Sequence, residues 1–322
     1  MRIGKRRISV RLETAEGVAI DINSNGADIG NTQLEIDMSA NMSVAPGGNS
    51  ATIRIVNLSK SSRELIASKI QRKFDISAAA IAQGIDPAAI PGGSVAQRAV
   101  TRRGDCYAII SAGYDDVTPV IFEGAAPYSR HSKLGPTWYT ELQIGDALTT
   151  MITGVAAKTF PPKTLLLDVV RYVVKSMGLD ASVLKTPLQL TDAIGRGQTT
   201  FDYGFTAFGD SRWLLTAMLE PFGAEWFVDR GQFFVVRKGH ALPEPAVVVD
   251  YSSGLRNHPE PTESGSVRIR SMFRSDIRIG RLVSVEGVDY AGVYRAETVM
   301  HRMNNRTGEA VTEAFLAPRE GT

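Results

Sequence analysis

The chain has 322 residues, 43% hydrophobic and 22% charged, which is ordinary globular composition for two or three domains and not that of a disordered chain. Thirty-six basic residues against 34 acidic ones leave a net charge of +2, too balanced for a dedicated nucleic-acid binder. A single cysteine, Cys106, rules out an internal disulfide framework and any multi-cysteine metal site. With no secretory leader visible and no apolar run long enough to span a bilayer, the reading is a soluble chain folding in a reducing compartment, without membrane insertion.

The first 58 residues read as strands. Positions 8–12 and 34–38 alternate apolar and polar, and Asn23-Ser24-Asn25-Gly26 supplies turn chemistry between them. In 51–58, Ile53 and Ile55 fall on one face and Arg54 on the other, while 41–49 reads as a loop by composition. At Ser59 the period changes: Leu65, Ile66 and Ile70 lie at helical spacing after a serine cap. The stretch 75–103 is rich in Ala, Gly and Pro and predicts a loop-dominated insert that protrudes, either ordering against a partner or staying a mobile loop. Strands resume at 107–112, 120–123 and 138–144.

A helix is predicted after Pro161-Pro162, with Thr164 as N-cap and Gly178 closing it; Thr164, Asp168, Arg171 and Lys175 form one polar stripe on an otherwise apolar element. A second helix runs from a Ser211 cap until Pro221 and Gly223 stop it. Residues 226–228, the turn Asp229-Arg230-Gly231 and residues 233–236 make a hairpin. Residues 240–245 read as a linker, and strands follow at 247–249, 267–273, 282–285, 293–300 and 311–316, the last two joined by a turn at 304–308. The chain is therefore mainly β with a smaller α+β part: a first β segment at 1–150 (helix and insert at 59–105), a helix-plus-hairpin module at 151–245, and a second β segment at 246–322.

A catalytic set does not emerge. His131, His240, His258 and His301 are scattered without metal-ligand spacing and read as surface or turn residues; Cys106 reads as a small buried residue. Gly195-Arg196-Gly197 lacks the third glycine of a dinucleotide fingerprint, and Asp115-Asp116 and Asn57-Leu58-Ser59 read as loop and strand-end chemistry. Glu123 and Glu141, on successive strands, are a carboxylate pair that can approach at glycosidase distance, and with 34 acids in the chain such a pairing is also expected by chance. The basic start Arg2, Lys5, Arg6, Arg7 and Arg11 either contacts phosphate, is solvated, or pairs with an acidic neighbouring subunit. Arginine outnumbers lysine 26 to 10, which suits subunit interfaces and equally a GC-rich genome. No catalytic, cofactor-binding or metal residue is assigned.

Several segments taken together resemble the tail hub (baseplate hub) proteins of tailed phages, the late control protein D or phage protein D superfamily. They are Ala51-Thr52-Ile53-Arg54-Ile55-Val56-Asn57-Leu58-Ser59 with Arg63 and Ile66, then Ala112-Gly113-Tyr114, Ile121-Phe122-Glu123-Gly124 and Trp138-Tyr139-Thr140-Glu141-Leu142. Tyr251-Ser252-Ser253-Gly254-Leu255, Gly265-Ser266-Val267, Ile279-Gly280-Arg281-Leu282-Val283 and the closing strands continue the match. The long 75–103 insert and the absence of a proline in Met272-Phe273-Arg274-Ser275-Asp276 depart from it.

The resemblance implies two tail-tube-like β-barrel domains flanking the module, and a homotrimer whose six barrels form a pseudo-sixfold ring. Such a ring joins a sixfold tail tube, or distal tail protein, to a threefold central spike or tip protein. Tape measure and baseplate wedge proteins are the further partners implied, with no cofactor, and DNA passes through without specific binding. The place implied is the virion tail tip, assembled in the host cytoplasm. Another tail-tip component, a secretion-system spike base and a cell-wall-degrading enzyme are the competing readings. Period-two geometry sets Gln33, Glu35 and Asp37 opposite the apolar Leu34, Ile36 and Met38, and Tyr139, Glu141 and Gln143 opposite Leu142 and Ile144. These acidic and polar faces either line the channel or are simply solvated.

Overall fold

The computed structural model describes residues 4–14, 19–24, 34–45, 49–70, 106–145, 154–177, 199–263, 265–287 and 289–318. Gln33, Gly178, the Gly195-Arg196-Gly197 triplet and the 75–103 insert lie outside them. The first segment supplies β1 (Arg6–Thr14), β2 (Ala19–Asn23), β3 (Glu35–Ser43), β4 (Ser50–Val56), α1 (Lys60–Ile70), β5 (Cys106–Tyr114), β6 (Val120–Leu134) and β7 (Thr137–Gly145). Inward and outward residues alternate along β3 and β4 as the period-two pattern requires. Asn41, Met42 and Ser43, read as loop, are the end of β3; pairing with a strand from the far end of the chain overrides their turn-like composition.

Asn57-Leu58-Ser59 is a strand-to-helix corner. Asn57 takes a left-handed φ of 56°, which asparagine tolerates; its amide N–H donates to the Trp138 carbonyl (2.8 Å) and its Oδ1 accepts the Trp138 N–H (3.0 Å). Leu58 is buried, and the Ser59 hydroxyl accepts the Ser62 amide at 3.1 Å, capping α1.

The middle of the chain supplies β8 (Val155–Phe160), β9 (Thr164–Leu165), α2 (Leu166–Ser176), β10 (Thr200–Phe201), β11 (Phe205–Asp210), α3 (Ser211–Leu219), β12 (Ala224–Asp229) and β13 (Gln232–Arg237). Thr164 does not cap α2: it lies in β9, paired with β10, and its hydroxyl donates to the Pro161 carbonyl at 2.7 Å. Asp210, not Ser211, caps α3, because its carboxylate accepts both the Arg212 and Trp213 amides (2.8 and 3.2 Å), leaving the Ser211 hydroxyl to bond Ser176 at 2.7 Å. Gly223, at φ 61°, ends the turn after α3 in the left-handed conformation. The ribbon of β8 and β11 was not legible in the sequence, since Lys158, Thr159 and Gly209 obscure its alternation.

The last segment supplies β14 (Val247–Val249), β15 (Glu260–Pro261), β16 (Val267–Met272), β17 (Leu282–Val285), β18 (Gly292–Asn304) and β19 (Ala310–Pro318). One thirteen-stranded sheet contains strands of both terminal segments, in the order β15-β16-β19-β18-β3-β4-β7-β6-β5-β1-β2, with β17 beside β18 and β14 beside β17. The β class and its smaller α+β part stand as read. Among the described residues, however, the ladders do not close each segment into a barrel of its own. β3 pairs β18, and a single apolar core runs beneath both segments. The sheet curls enough for Arg6 of β1 to donate to the carbonyls of Asn304 (3.1 Å) and Gly308 (2.9 Å) in the β18–β19 turn. A second core, built on α2, α3 and one face of β12 and β13, belongs to the middle module. The segment read as a linker is tied down: the Leu242 N–H donates to the Gly280 carbonyl (2.7 Å), and Glu244 meets Arg278 and Arg281.

His301 is a correction to the surface reading of the histidines. It is fully buried on β18, its Nδ1 2.9 Å from Thr312 Oγ1 and its ring 5.4 Å from that of Phe273. Burial first, then the nearby Arg230, depresses its pKa from 6.5 to about 3. The neutral ring therefore supports the fold fully above pH 6.5, and that support is lost as pH falls towards 3, at about 1.4 kcal/mol per pH unit. Urea melts at stepped pH should show this acid limb, and His301→Gln should flatten it. An identical slope in the variant would mean that other groups carry it.

Candidate functional site

The outer face of the sheet is the first element of the site. At its centre, β3 offers Ser39 and Asn41, β4 offers Ser50 and Thr52, and Gln143 of β7 lies opposite Thr52: small, polar and exposed. One cross-strand row runs Asn304, Asp37, Arg54, Glu141, Arg130 through β18, β3, β4, β7 and β6, each residue opposite the next in register. The structure thus brings Asp37 and Glu141 into one row with Gln143 beside it, and Glu35 on the same face bonds Asn304 Nδ2 at 3.1 Å. The face is not acidic, as two strands read alone suggested. Arg54 stands between the two carboxylates, 4.2 Å over the Tyr139 ring, and Arg130 closes the row. Partial burial among these strands raises the pKa of Asp37 from its ordinary value, an effect that Arg54 opposes.

The second element is a buried joint. The hairpin of β12 and β13 turns through Arg230 (φ 50°) and Gly231 (φ 71°), a two-residue loop whose twist suits the strands. Alternation splits its side chains between the two cores: Trp226, Val228, Phe233 and Val235 face the helices, while Phe227, Phe234 and Val236 face the large sheet. Phe227 stacks on Phe234 at 5.5 Å, and its tip lies so close to Gly280 that an added Cβ there would stand 2.4 Å away. Gly280, at φ 74°, is therefore required by both backbone and space. Two ion pairs flank this apolar centre. Glu225 meets Arg295 of β18 at 2.5 Å, and Arg278 holds the fully buried Asp229 carboxylate through Nε (2.8 Å) and Nη2 (2.7 Å). Burial raises Asp229 despite Arg278 and Arg230. Arg230 bonds the Ser275 carbonyl, and Asn49 bonds the Val228 carbonyl at 2.6 Å, so both β segments grip the hairpin.

The remaining candidates disperse. Glu141 faces Arg130, seven residues along β6 from Glu123, roughly 20 Å at ~3.3 Å per residue, so the two acids form no catalytic pair. Glu123 accepts from the Tyr107 hydroxyl instead (3.3 Å). Cys106 is buried at the start of β5. His131 bonds Thr140, His240 lies in the turn after β13, and His258 is exposed 3.3 Å from Asp289. The described part of the basic start is used within the chain: Arg7 pairs with Asp116, Arg11 with Glu13, and the Lys5 amide donates to Asp115, which explains the Asp115-Asp116 doublet as a turn. Among the described residues no group of acids, histidines and cysteine is placed to hold a metal ion. The module leaves Phe208 (76%) and Trp213 (69%) exposed, a signal that only the fold reveals.

This architecture is that of phage tail proteins. The chain superposes on a prophage MuSo2 43 kDa tail protein from Shewanella oneidensis with a TM-score of 0.56 and 7% identity, covering 97% of this chain and 98% of that one. It superposes on a tail protein from Neisseria meningitidis MC58 with a TM-score of 0.53 and 11% identity, over 96% of each chain. The E. coli c3393 protein, a type VI secretion component described as structurally similar to the T4 tail proteins gp27 and gp5, gives 0.51 at 9% identity, covering 88% of this chain and 73% of that one. No curated protein matches the chain by sequence. The model of the Baseplate hub gp41 family matches residues 17–288, and the chain belongs to that family, a structural family of the phage tail tip. The tail-hub resemblance drawn from the sequence is borne out.

The joint makes a measurable prediction. Glu225→Gln leaves the buried Arg295 uncompensated and should cost about 2–3 kcal/mol, below the roughly 3–5 of a wholly buried pair because Glu225 is partly exposed. The double variant Glu225→Leu/Arg295→Met should recover most of that loss in urea titrations. Additive losses would show that the two charges are not coupled.

Proposed function

We propose that three copies of this chain close into a ring at the tail tip, joining the tail tube above to the central spike below, with the polar sheet face turned to a channel that passes DNA. The continuous sheet that unites the two β segments carries this reading: it offers one uninterrupted face in which small polar residues and alternating charges replace any cationic cluster. A phosphate approaching Arg54 meets Asp37 and Glu141 on either side, so the wall neither binds the backbone tightly nor strongly repels it. Tube or distal tail protein, spike, tape measure and wedge proteins are the partners of such a ring, and the exposed Phe208 and Trp213 of the module suit contact between proteins. The similarity to a type VI secretion component supports a spike base as the second reading.

Light scattering separates the ring from a single chain: the expected mass is three times 34.8 kDa. A monomer that persists with the tube protein present would overturn the ring. Replacing Glu35, Asp37 and Glu141 together by lysine unmasks Arg54 and Arg130 and makes a cationic stripe. Particles carrying the triple variant should assemble but eject their genome more slowly, the delay shrinking as salt rises. Normal ejection from assembled variant particles would remove these residues from the channel wall.

A further inference from the structure

The β8–β11 ribbon has two unlike faces. Ala156, Phe160 and Ala207 turn into the module core, so period two sends Val155, Ala157 and Phe208 outward. Phe208 lies opposite Ala157, and Val155 lies opposite Asp210, the cap residue from which α3 carries Trp213. Val155, Phe208 and Trp213 are thus gathered at one end of the ribbon, all three exposed. Towards its other end stand Lys158 and the exposed Lys163, whose amide donates to the Phe201 carbonyl at 2.7 Å. The Lys158 ammonium lies 4.8 Å from the centre of the Phe160 ring and 5.2 Å from that of Tyr172, and aromatic rings hold a cation without cancelling its charge. Lys158, Lys163 and Arg212 stand against Asp202 and Asp210, and Asp210 is committed to the α3 cap and to Arg212. This face therefore carries an excess of positive charge.

A second apolar corner lies on the large sheet. Val248 of β14 pairs with Ser284 of β17, which pairs with Val293 of β18, a cross-strand row with an exposed valine at each end. β14 and β17 run parallel, so Tyr251, just past β14, reaches the same end of the sheet as Tyr290 in the turn between β17 and β18. Both tyrosines are exposed. This corner is acidic: Glu286 and Asp289 lie in that turn, and Asp250 follows β14. The Ser252 hydroxyl (2.8 Å) and the Ser253 amide (2.5 Å) donate to the Asp250 carboxylate and hold its pKa below the ordinary value. The cations at hand are His258, 3.3 Å from Asp289, and Arg274, which bonds the Val248 carbonyl and is already paired with Asp276.

The two surfaces are alike in apolar character, opposite in sign, and built on different cores. Pairing the corner with itself across a two-fold axis would set Glu286 and Asp289 against their own copies, a repulsive contact. Head-to-tail pairing sets lysines against carboxylates instead, and a contact between two different surfaces of one chain is the kind that repeats around a ring. Resting on the ring reading above, we infer that the β14–β17–β18 corner receives the module of a second copy of this chain, with Phe208 and Trp213 packed on Tyr251 and Tyr290 and the lysines facing the acids. The aromatic side chains anchor the contact and the charges at its rim select the partner surface.

Sedimentation of the full chain, alone and with the tail-tube protein of the same virion, tests the pairing. Wild-type protein should form trimers that loosen as salt rises. Trp213→Ala and Tyr251→Ala should each raise the trimer dissociation constant at least about tenfold, with the circular dichroism spectrum unchanged. The doubles Lys158→Glu/Lys163→Glu and Glu286→Lys/Asp289→Lys should each weaken the trimer, and all four changes together should restore it. Wild-type trimer stability in either alanine variant, or a fourfold variant no tighter than the doubles, overturns this pairing and leaves the ring reading standing. Loss of tube-protein binding from an intact trimer assigns the altered surface to the tube protein and also overturns it. If wild-type protein stays monomeric under both conditions, the ring reading falls and the pairing with it.

Discussion

The pairing of β3 with β18 is the interaction on which the rest of the molecule depends, because it sets a strand near the start of the chain beside one near its end, from Thr298 opposite Ser43 to Asn304 opposite Asp37. Closing a loop of that length costs entropy that grows only logarithmically, and one continuous core is what offsets it. A slip of one residue would carry Ile36 and Met38 to the solvent face and Asp37 into the core, so burial fixes the register. Asn305 pins its end: the side chain accepts the Ile36 amide at 2.7 Å and donates to the Leu34 carbonyl at 2.8 Å.

Among the described residues, the hairpin of β12 and β13, with two differently committed faces, joins the module to that sheet. Phe227 and Phe234 supply contact area, but apolar contact is non-directional and would tolerate rotation. The pairs Glu225–Arg295 and Asp229–Arg278 add direction, since each leaves a buried charge exposed to loss if the hairpin shifts. Nε and Nη2 of Arg295 and Oδ1 of Asp229 have no hydrogen-bond partner among the described residues, so these charges are better understood as fixing orientation than as adding net stability.

The charge ladder on the opposite surface follows from the same registry. Asp37, Arg54, Glu141 and Arg130 belong to four strands and become neighbours only because the ladders align them. Alternating signs at cross-strand spacing are mutually favourable, and the row has no net sign to hold a polyanion. The histidines and Glu123 lie apart from this row: His131 bonds Thr140, and Glu123 accepts from the Tyr107 hydroxyl, while Glu141 faces Arg130 within it.

Local pattern alone determined much of this protein. The alternation of 34–38 and 51–58, the helical spacing of 61–70, and the Arg230-Gly231 and 304–308 turns are properties of neighbouring residues, and each element formed where its period placed it. The outward faces of Glu35, Asp37, Glu141 and Gln143 were legible for the same reason. The cap of α3 shifted by one residue because two hydroxyl and carboxylate candidates stand side by side, and the stronger acceptor prevailed. What the tertiary structure decided is everything that depends on which strand meets which. It made one sheet of two segments, drew Asn41 and Ser43 into a strand, set Arg54 between Asp37 and Glu141, paired β8 with β11 and buried His301. Periodicity reports the direction of a side chain relative to its own strand and nothing about the partner strand, so those contacts exist only once separate strands, some 260 positions apart in the case of β3 and β18, are in register.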